Sequence, residues 1–280
     1  MMTVTAPAKL NLTLEVLKKR PDGFHEIRSV VQTISFNDKL VFSPAPRLEI
    51  KCSRPGWSAG KSLVTKAVSL LKNSTGASQG AIIEIDKRIP LSAGLGGDSS
   101  DAAAVLRGLN LLWNLKLSLR DLISYATQLG ADVPLFLYGG TMLIEGKGEK
   151  IRPLRPMPHM TVVLMTPPIA AAENKTQQMY AQLTIRNYTP GRITEDFINM
   201  LEGKSARPGI GLFNVFEEAA LRFFPGLQAA RQKFSEAGAT EIHLAGSGPT
   251  LYTLTRDDLK AGDIHQRLQQ MKMESYLADF

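Results

Sequence analysis

A glycine-rich segment between a strand-like run and a helix-like run constrains this chain more than any other feature. It reads Pro-Leu-Ser-Ala-Gly-Leu-Gly-Gly-Asp-Ser-Ser and spans residues 90–100. Ala81 to Asp86 before it is strand-like, and Ser99 to Trp113 after it is rich in alanine and leucine, as is typical of a helix. Glycines let backbone N–H groups approach an anion closely, and the start of a helix carries partial positive charge. The segment therefore predicts a phosphate-binding loop.

The loop fits neither of the common nucleotide-binding motifs. No Gly-Lys-Ser/Thr ends it, and Gly94, Gly96 and Gly97 do not have the Gly-x-Gly-x-x-Gly spacing of dinucleotide folds. Taken alone, the segment is equally compatible with a flexible turn in which Ser99 or Ser100 merely caps the helix.

Charge and length limit the classes of protein that remain. The chain has 280 residues, which is enough for about two domains, and its formal net charge of +7 favours an anionic partner. RNA is one such partner, but the densest basic run, Lys18 to Arg20, is short. A single cysteine, Cys52, suits a reducing compartment, so we expect a cytoplasmic protein. We expect no leader segment and no membrane span.

Local patterns predict a mixed first half. Ala8 to Val16 alternates like a strand buried on one face only, which places Lys9 and Asn11 together on the polar face. Further strands are predicted at 27–36, 40–42, 48–51, 81–86 and 141–144, with turns at residues 37–38 and 43–44.

Two more helices are predicted in the first half. One runs from Ser62 to Lys72 and stops near Gly76. The other begins after a capping box at residues 118–121 and ends at Gly130, which leaves Asp132 on a loop or in the first turn of a further helix.

The second half combines strands and helices. We predict helices at about 173–183, 194–201, 212–223, 227–237 and from 257 onward, with strands at 161–165, 242–245 and 250–254. Prolines at 153, 156 and 158 mark a boundary, so the predicted lobes are 1–155 and 156–280. The fold class is α+β.

Three segments, taken in order, resemble the three signatures of the GHMP kinases, which act on galactose, homoserine, mevalonate and phosphomevalonate. They are residues 6–12, 90–100 and 244–250. The resemblance implies a two-lobed fold with a ribosomal-protein-like N-terminal lobe and a ferredoxin-like C-terminal lobe. It also implies ATP as phosphoryl donor, with Mg²⁺ carried by the nucleotide. The implied ATP-binding residues are Pro90, Leu91, Ser92, Ala93, Gly94, Leu95, Gly96, Gly97, Asp98, Ser99 and Ser100.

Within this family, residues 20–25 and 130–134 resemble one branch in particular. Its members phosphorylate the tertiary hydroxyl at carbon 2 of a methylerythritol unit carried on cytidine diphosphate, in non-mevalonate isoprenoid synthesis. The resemblance implies small-molecule partners, neither nucleic acid nor membrane, no protein-bound metal, and a monomer or weak homodimer.

The resemblance also assigns catalytic roles. Asp132 would accept or orient the proton of the attacking hydroxyl, and Lys9 would keep that carboxylate charged and screen the transferred phosphate. Without the resemblance, Lys9 would be read as a solvated strand residue and Asp132 as a helix cap.

Substrate contacts are implied for six residues. The Phe24–His25 pair would grip cytosine, with Phe24 replacing the usual tyrosine of the family, and Tyr180 would stack on the opposite face of the base. Tyr180 is equally compatible with core packing. The full set is Asn11, Phe24, His25, Tyr180, Gly246 and Ser247.

Two departures from the family pattern concern the nucleotide. Ser62 stands where the family often has asparagine near adenine, and Asp98 adds a negative charge that points either away from phosphate or toward a metal. The alternatives to the assigned activity are another GHMP small-molecule kinase, a non-catalytic binding module of the same fold, and an RNA-binding protein.

Overall fold

The computed structural model describes residues 1–170, 174–204 and 211–280. These residues form two compact units, and each is made of separate stretches of the chain. Unit 1 comprises Met1–Ala8, Asn37–Leu91 and Gly96–Gly139, and unit 2 comprises Lys9–Phe36, Ser92–Leu95 and Gly140–Phe280. Strands β1 (Met2–Asn11) and β3 (His25–Ala45) contribute residues to both units. The predicted boundary near residue 155 stays a prediction.

Unit 1 combines a small sheet with helices. The second half of β3 pairs antiparallel with β5, from Lys39 opposite Asp86 to Ala45 opposite Gly80, and β5 pairs parallel with β4. Helices α1 and α2 contact each other, and α4 contacts both α2 and α3. The elements are β4 (Leu48–Cys52), α1 (Leu63–Thr75), β5 (Gly80–Asp86), α2 (Gly97–Leu112), α3 (Leu119–Leu129) and α4 (Val133–Tyr138).

Unit 2 contains two groups of paired strands and a hydrophobic core. In the first group, β2 pairs antiparallel with β3 and parallel with β9, and β6 pairs antiparallel with β3 and β7. The second group is an antiparallel sheet in the order β10-β11-β8-β12. The core includes Leu14, Val163, Phe216 and Phe234. The elements are β2 (Thr13–Lys19), β6 (Thr141–Gly146), β7 (Lys150–Pro153), β8 (Thr161–Thr166), α5 (Lys175–Ala181), α6 (Arg192–Leu201), β9 (Phe213–Asn214), α7 (Glu217–Phe223), α8 (Leu227–Glu236), β10 (His243–Leu244), β11 (Leu251–Thr255), α9 (Asp258–Gln270) and β12 (Glu274–Asp279).

The α+β class is confirmed, and so are the helices whose ends carry explicit signals. Helix α1 begins after Ser62, whose hydroxyl accepts from Val64 N–H, and it ends at Gly76 in the left-handed conformation. Helix α3 begins with the predicted reciprocal capping box between Ser118 and Asp121. Local hydrogen bonding and backbone preference suffice to set such ends.

Two predicted turns and one predicted helix start are wrong where tertiary contacts override local pattern. The chain turns neither at residues 37–38 nor at residues 43–44, because both lie inside β3, where the buried Asp38 carboxylate accepts from the N–H groups of Arg88 and Ile89 and residues 43–44 pair with β5. Nor does a helix begin at Leu212, because Phe213–Asn214 forms a strand beside β2, and α7 starts only at Glu217. The predicted start of helix α5 at Glu173 lies outside the described residues.

The segment Ala8–Val16 is also not half-buried, since every residue in it is buried. Its polar side chains find partners inside unit 2. The Glu15 carboxylate accepts from Thr194 N–H at 2.7 Å at the start of α6, and the Thr13 hydroxyl shares a 2.9 Å hydrogen bond with that of Thr194. A polar face that is paired in this way can be buried at little cost.

Candidate active site

The first half of the glycine loop lies against the glycine turn at residues 245–248. Gly94 has φ +87°, and a Cβ placed on it would lie 2.1 Å from the carbonyl oxygen of Ala245. Gly246 has φ +53°, and a Cβ there would lie 2.7 Å from the carbonyl oxygen of Gly94. Real Cβ contacts are never this short, so both positions require glycine. Thr250 N–H adds a bond to the Ala93 carbonyl at 3.3 Å.

The second half of the loop is the start of helix α2. Gly96, with φ +75°, occupies the N-cap position, and the helix begins at Gly97. Ser99 and Ser100 therefore lie in the first turn and do not cap the helix, so the capping interpretation of these serines is wrong. The Ser100 hydroxyl is buried and has no hydrogen-bond partner among the described residues.

Asp98 points toward helix α1. Its carboxylate accepts from the Ser62 hydroxyl at 2.5 Å and from Leu63 N–H at 3.0 Å, so it stabilises the first turn of that helix. The two family departures noted in the sequence, Ser62 and Asp98, are thus hydrogen-bonded to each other.

Lys9 is buried, with 7% of its surface exposed, so the solvated-strand interpretation is wrong. Its Nζ donates to Asn11 Oδ1 at 2.7 Å, and its backbone N–H donates to the carbonyl of Leu95 at 2.9 Å. Asn11 Nδ2 donates in turn to the Ser29 hydroxyl at 2.9 Å. The Lys9 ammonium is therefore held at a defined place beside the loop.

Asp132 precedes helix α4 in unit 1. It occupies the N-cap position with φ −84° and ψ −15°, and its side chain makes no capping hydrogen bond. A helix cap is the ordinary reason for an aspartate in this place. The geometry does not support that interpretation.

The residues expected to hold cytosine lie together in unit 2, in an arrangement that the sequence did not predict. The His25 and Tyr180 rings stack directly, with centroids 4.9 Å apart and an interplanar angle of 15°. Phe24 is 56% exposed, and Lys147 Nζ lies 4.8 Å from its ring centroid. Burial, and secondarily the charge of Lys19, lowers the pKa of His25, which favours the neutral imidazole.

Several residues that support the turn at 245–248 were not singled out in the sequence. Asn214 Nδ2 donates to the carbonyls of Leu244 and Gly246, both at 2.8 Å. The Ser247 hydroxyl shares a 3.1 Å hydrogen bond with that of Thr176. Lys175 is buried next to the same turn. No motif marks these positions, because their partners are distant in sequence.

Unit 1 also carries an open groove of about 730 Å³ beside β4 and β5. Its walls include Ile50, Cys52, Trp57 and Ile85. The indole N–H of Trp57 is buried and has no partner among the described residues. Polar residues line the groove as well, namely Lys51, Ser53, Glu84 and Asp86, so it offers an aromatic group both apolar contact and hydrogen bonds.

Two features are absent from the described ranges. No group of three or more His, Cys, Asp or Glu residues there could hold a metal ion. In the same ranges, no helix is long and apolar enough to cross a bilayer.

Family models that match the chain show which class of protein it belongs to. The family model of the GHMP kinases N terminal domain matches residues 62–140, and that of the GHMP kinases C terminal domain matches residues 199–272. Together with the full-length relatives described below, these matches show that the chain belongs to the GHMP kinases. A kinase of this family uses ATP.

The relatives narrow the class. The chain is 45% identical to a 4-diphosphocytidyl-2-C-methyl-D-erythritol kinase of Dehalococcoides mccartyi over 278 residues, covering 99% of this chain and 97% of that protein. It is 38% identical to the protein of the same name from Pelotomaculum thermopropionicum, with 96% and 94% covered.

Solved structures agree with these relatives. A crystal structure of 4-(cytidine 5'-diphospho)-2C-methyl-D-erythritol kinase matches with a TM-score of 0.83 and 30% identity, covering 99% of this chain and 98% of that one. The homoserine kinase of Cytophaga hutchinsonii matches with a TM-score of 0.74 over 99% and 93% of the two chains. At 18% identity, this match shows a similar fold and nothing about function.

Proposed function

We propose that this protein transfers the γ-phosphoryl group of ATP to the 2-hydroxyl of 4-diphosphocytidyl-2-C-methyl-D-erythritol, a step of non-mevalonate isoprenoid synthesis. The observation that carries the proposal is the 45% identity to a kinase of that name over 99% of the chain. The segments that distinguish this branch, at residues 20–25 and 130–134, are present in the sequence.

The chemical step needs one proton acceptor and stabilisation of phosphate charge. The 2-hydroxyl oxygen forms a bond to the γ-phosphorus while the bond from that phosphorus to the bridging oxygen breaks, and ADP leaves. We assign the hydroxyl proton to Asp132 and charge stabilisation to Lys9. The burial of Lys9 beside the glycine loop supports the second of these roles.

ATP is assigned to the glycine loop. The backbone N–H groups at the start of α2 and the glycines at 94, 96 and 97 would approach the phosphates. The groove beside Trp57 would receive adenine. Mg²⁺ is assigned to the nucleotide and, when bound, would neutralise part of the phosphate charge.

The cytidine diphosphate is assigned to unit 2. His25 would read the polar edge of cytosine, and the rings of Phe24 and Tyr180 would stack on its faces. The His25 ring already covers one face of the Tyr180 ring, with centroids 4.9 Å apart, so a base stacked on that face would have to displace His25. Asn11, Gly246 and Ser247 would complete the pocket near the reacting hydroxyl.

The remaining assignments concern location, assembly and lobe boundaries. The lone Cys52 supports a cytoplasmic location, and the assembly is proposed as a monomer or weak homodimer without nucleic-acid or membrane partners. The lobes are proposed as 1–155 and 156–280.

The test is direct. Purified protein is incubated with ATP, Mg²⁺ and the diphosphocytidyl substrate, and phosphorus NMR follows the products. A new phosphomonoester signal with stoichiometric ADP supports the proposal. Turnover of homoserine or mevalonate instead would reassign the chain to another GHMP kinase. If none of these alcohols supports ADP release, a non-catalytic binding module is favoured. A gel shift with RNA that resists salt would favour an RNA-binding protein.

A further inference from the structure

Lys175, the first residue of α5, is a buried cation next to the glycine loop. Only 7% of its surface is exposed. Its Nζ donates to the carbonyl of Ser92 at 2.7 Å and also to the carbonyl of Gly248. Ser92 belongs to the first half of the loop, and Gly248 belongs to the turn that packs on it. The side chain therefore ties these two segments together.

The charge of Lys175 is poorly compensated in its surroundings. Both of its acceptors are neutral carbonyls, and in the described part of the chain no carboxylate forms an ion pair with it. Burial, and then the charge of Lys9, lowers its pKa to about 8. Removing a cation from water and placing it near a second cation costs free energy.

A purely mechanical role does not explain this arrangement. A glutamine side chain can donate two hydrogen bonds to two carbonyls without carrying a charge. A lysine carries three N–H donors, and two of them satisfy Ser92 and Gly248. The charge and the third donor are suited to an anion that arrives beside the loop.

We propose that Lys175 is a phosphate-binding residue, whose ammonium group, together with Lys9, supplies positive charge to the nucleotide phosphates at the junction of Ser92 and Gly248. The proposal rests on the kinase assignment but not on the identity of the alcohol. Bound phosphate would compensate the two buried cations, which repel each other in the free protein. Affinity for the nucleotide should then depend on this charge, and affinity for the nucleoside should not.

The experiment measures binding without turnover. Calorimetric titration with the non-hydrolysable ATP analogue AMP-PNP, with ADP and with adenosine is carried out on the wild type, Lys175→Gln and Lys175→Met. Lys175→Gln keeps donors for the two carbonyls and removes the charge, and Lys175→Met removes both. Lys260→Met, on the exposed first turn of α9, is the matched control for the loss of one positive charge.

We expect Lys175→Gln to weaken AMP-PNP binding at least about tenfold and adenosine binding less than about twofold. Lys260→Met should change neither. Wild-type affinity for AMP-PNP should also fall as the pH rises above about 8, because the lysine then loses its proton. The charge of Lys9 acts on Lys175, and Lys9 would also act on the bound phosphates. The pH profile of Lys175→Gln therefore shows how much of the pH dependence comes from Lys9.

Two outcomes would overturn the proposal. Unchanged AMP-PNP affinity in Lys175→Gln would show that the charge does not act on phosphate. Equal losses for AMP-PNP and adenosine would show that Lys175 only maintains the fold. If Lys175→Met does not fold, Lys175→Gln still decides between these results. A wild type that binds nucleotide but does not phosphorylate the cytidine substrate would refute the proposed alcohol and leave the binding result valid.

Discussion

Replacement of Gly94 by alanine tests how closely the loop approaches the turn at 245–248. The substituted residue would keep φ +87°, and its Cβ would lie 2.1 Å from the Ala245 carbonyl oxygen and 3.0 Å from the N and O atoms of Gly248. All three atoms are backbone, so no side chain can rotate away. The loop or the turn must move.

The cost has two parts. A non-glycine residue in the left-handed region costs roughly 1–2 kcal/mol. Forcing an extra carbon into a packed site costs roughly 1–3 kcal/mol more. We therefore expect Gly94→Ala to lower the free energy of unfolding by about 2–5 kcal/mol, as measured by urea denaturation monitored by circular dichroism.

Gly226→Ala is the matched control. Gly226 has the same φ of +87°, and its Cβ would meet nothing within 4 Å. Only the conformational part, roughly 1–2 kcal/mol, should be lost there. Gly94→Ala should also weaken AMP-PNP binding, and Gly226→Ala should not. Equal stability losses and unchanged nucleotide affinity in both variants would refute the inference that the close approach at Gly94 shapes the phosphate site.

Three further substitutions test separate parts of the molecule. Asp132→Asn should lower kcat at least about 100-fold without changing the thermal midpoint, because it removes the proton acceptor; near-normal turnover would contradict this role. His25→Ala should raise KM for the cytidine substrate roughly tenfold and leave KM for ATP nearly unchanged, and equal changes in both would indicate a structural role. Lys87→Met should destabilise unit 1 by about 3–5 kcal/mol in urea denaturation, because it strands the fully buried carboxylates of Asp38 and Asp101; a loss below about 1 kcal/mol would argue against a buried ion pair.

Helix ends and glycine positions were the most predictable features. The capping box at Ser118, the stop at Gly76 and the glycine loop all depend on residues close together in the chain, so the local sequence contains the whole signal. The same holds for the α+β class, which follows from the succession of strand and helix patterns.

Burial and partner choice were not predictable in the same way. Asp38 looks like a turn residue, yet it lies inside a strand because Lys87 and the N–H groups of residues 88 and 89 provide its partners. Lys175 looks like an exposed helical lysine, yet its acceptors come from segments 83 and 73 residues away. No periodicity or motif in the sequence reveals contacts between residues so far apart in the chain.

The glycine loop shows most clearly which features follow from local sequence and which follow from packing. The sequence by itself determined that residues 90–100 form a loop leading into a helix, because glycine favours positive φ and helix propensity is local. Only the tertiary structure decided which cations lie against that loop: the ammonium of Lys9 and the buried Lys175. These neighbours are set by packing between distant segments, where the free energy depends on what is excluded from water together and not on the order of residues along the chain.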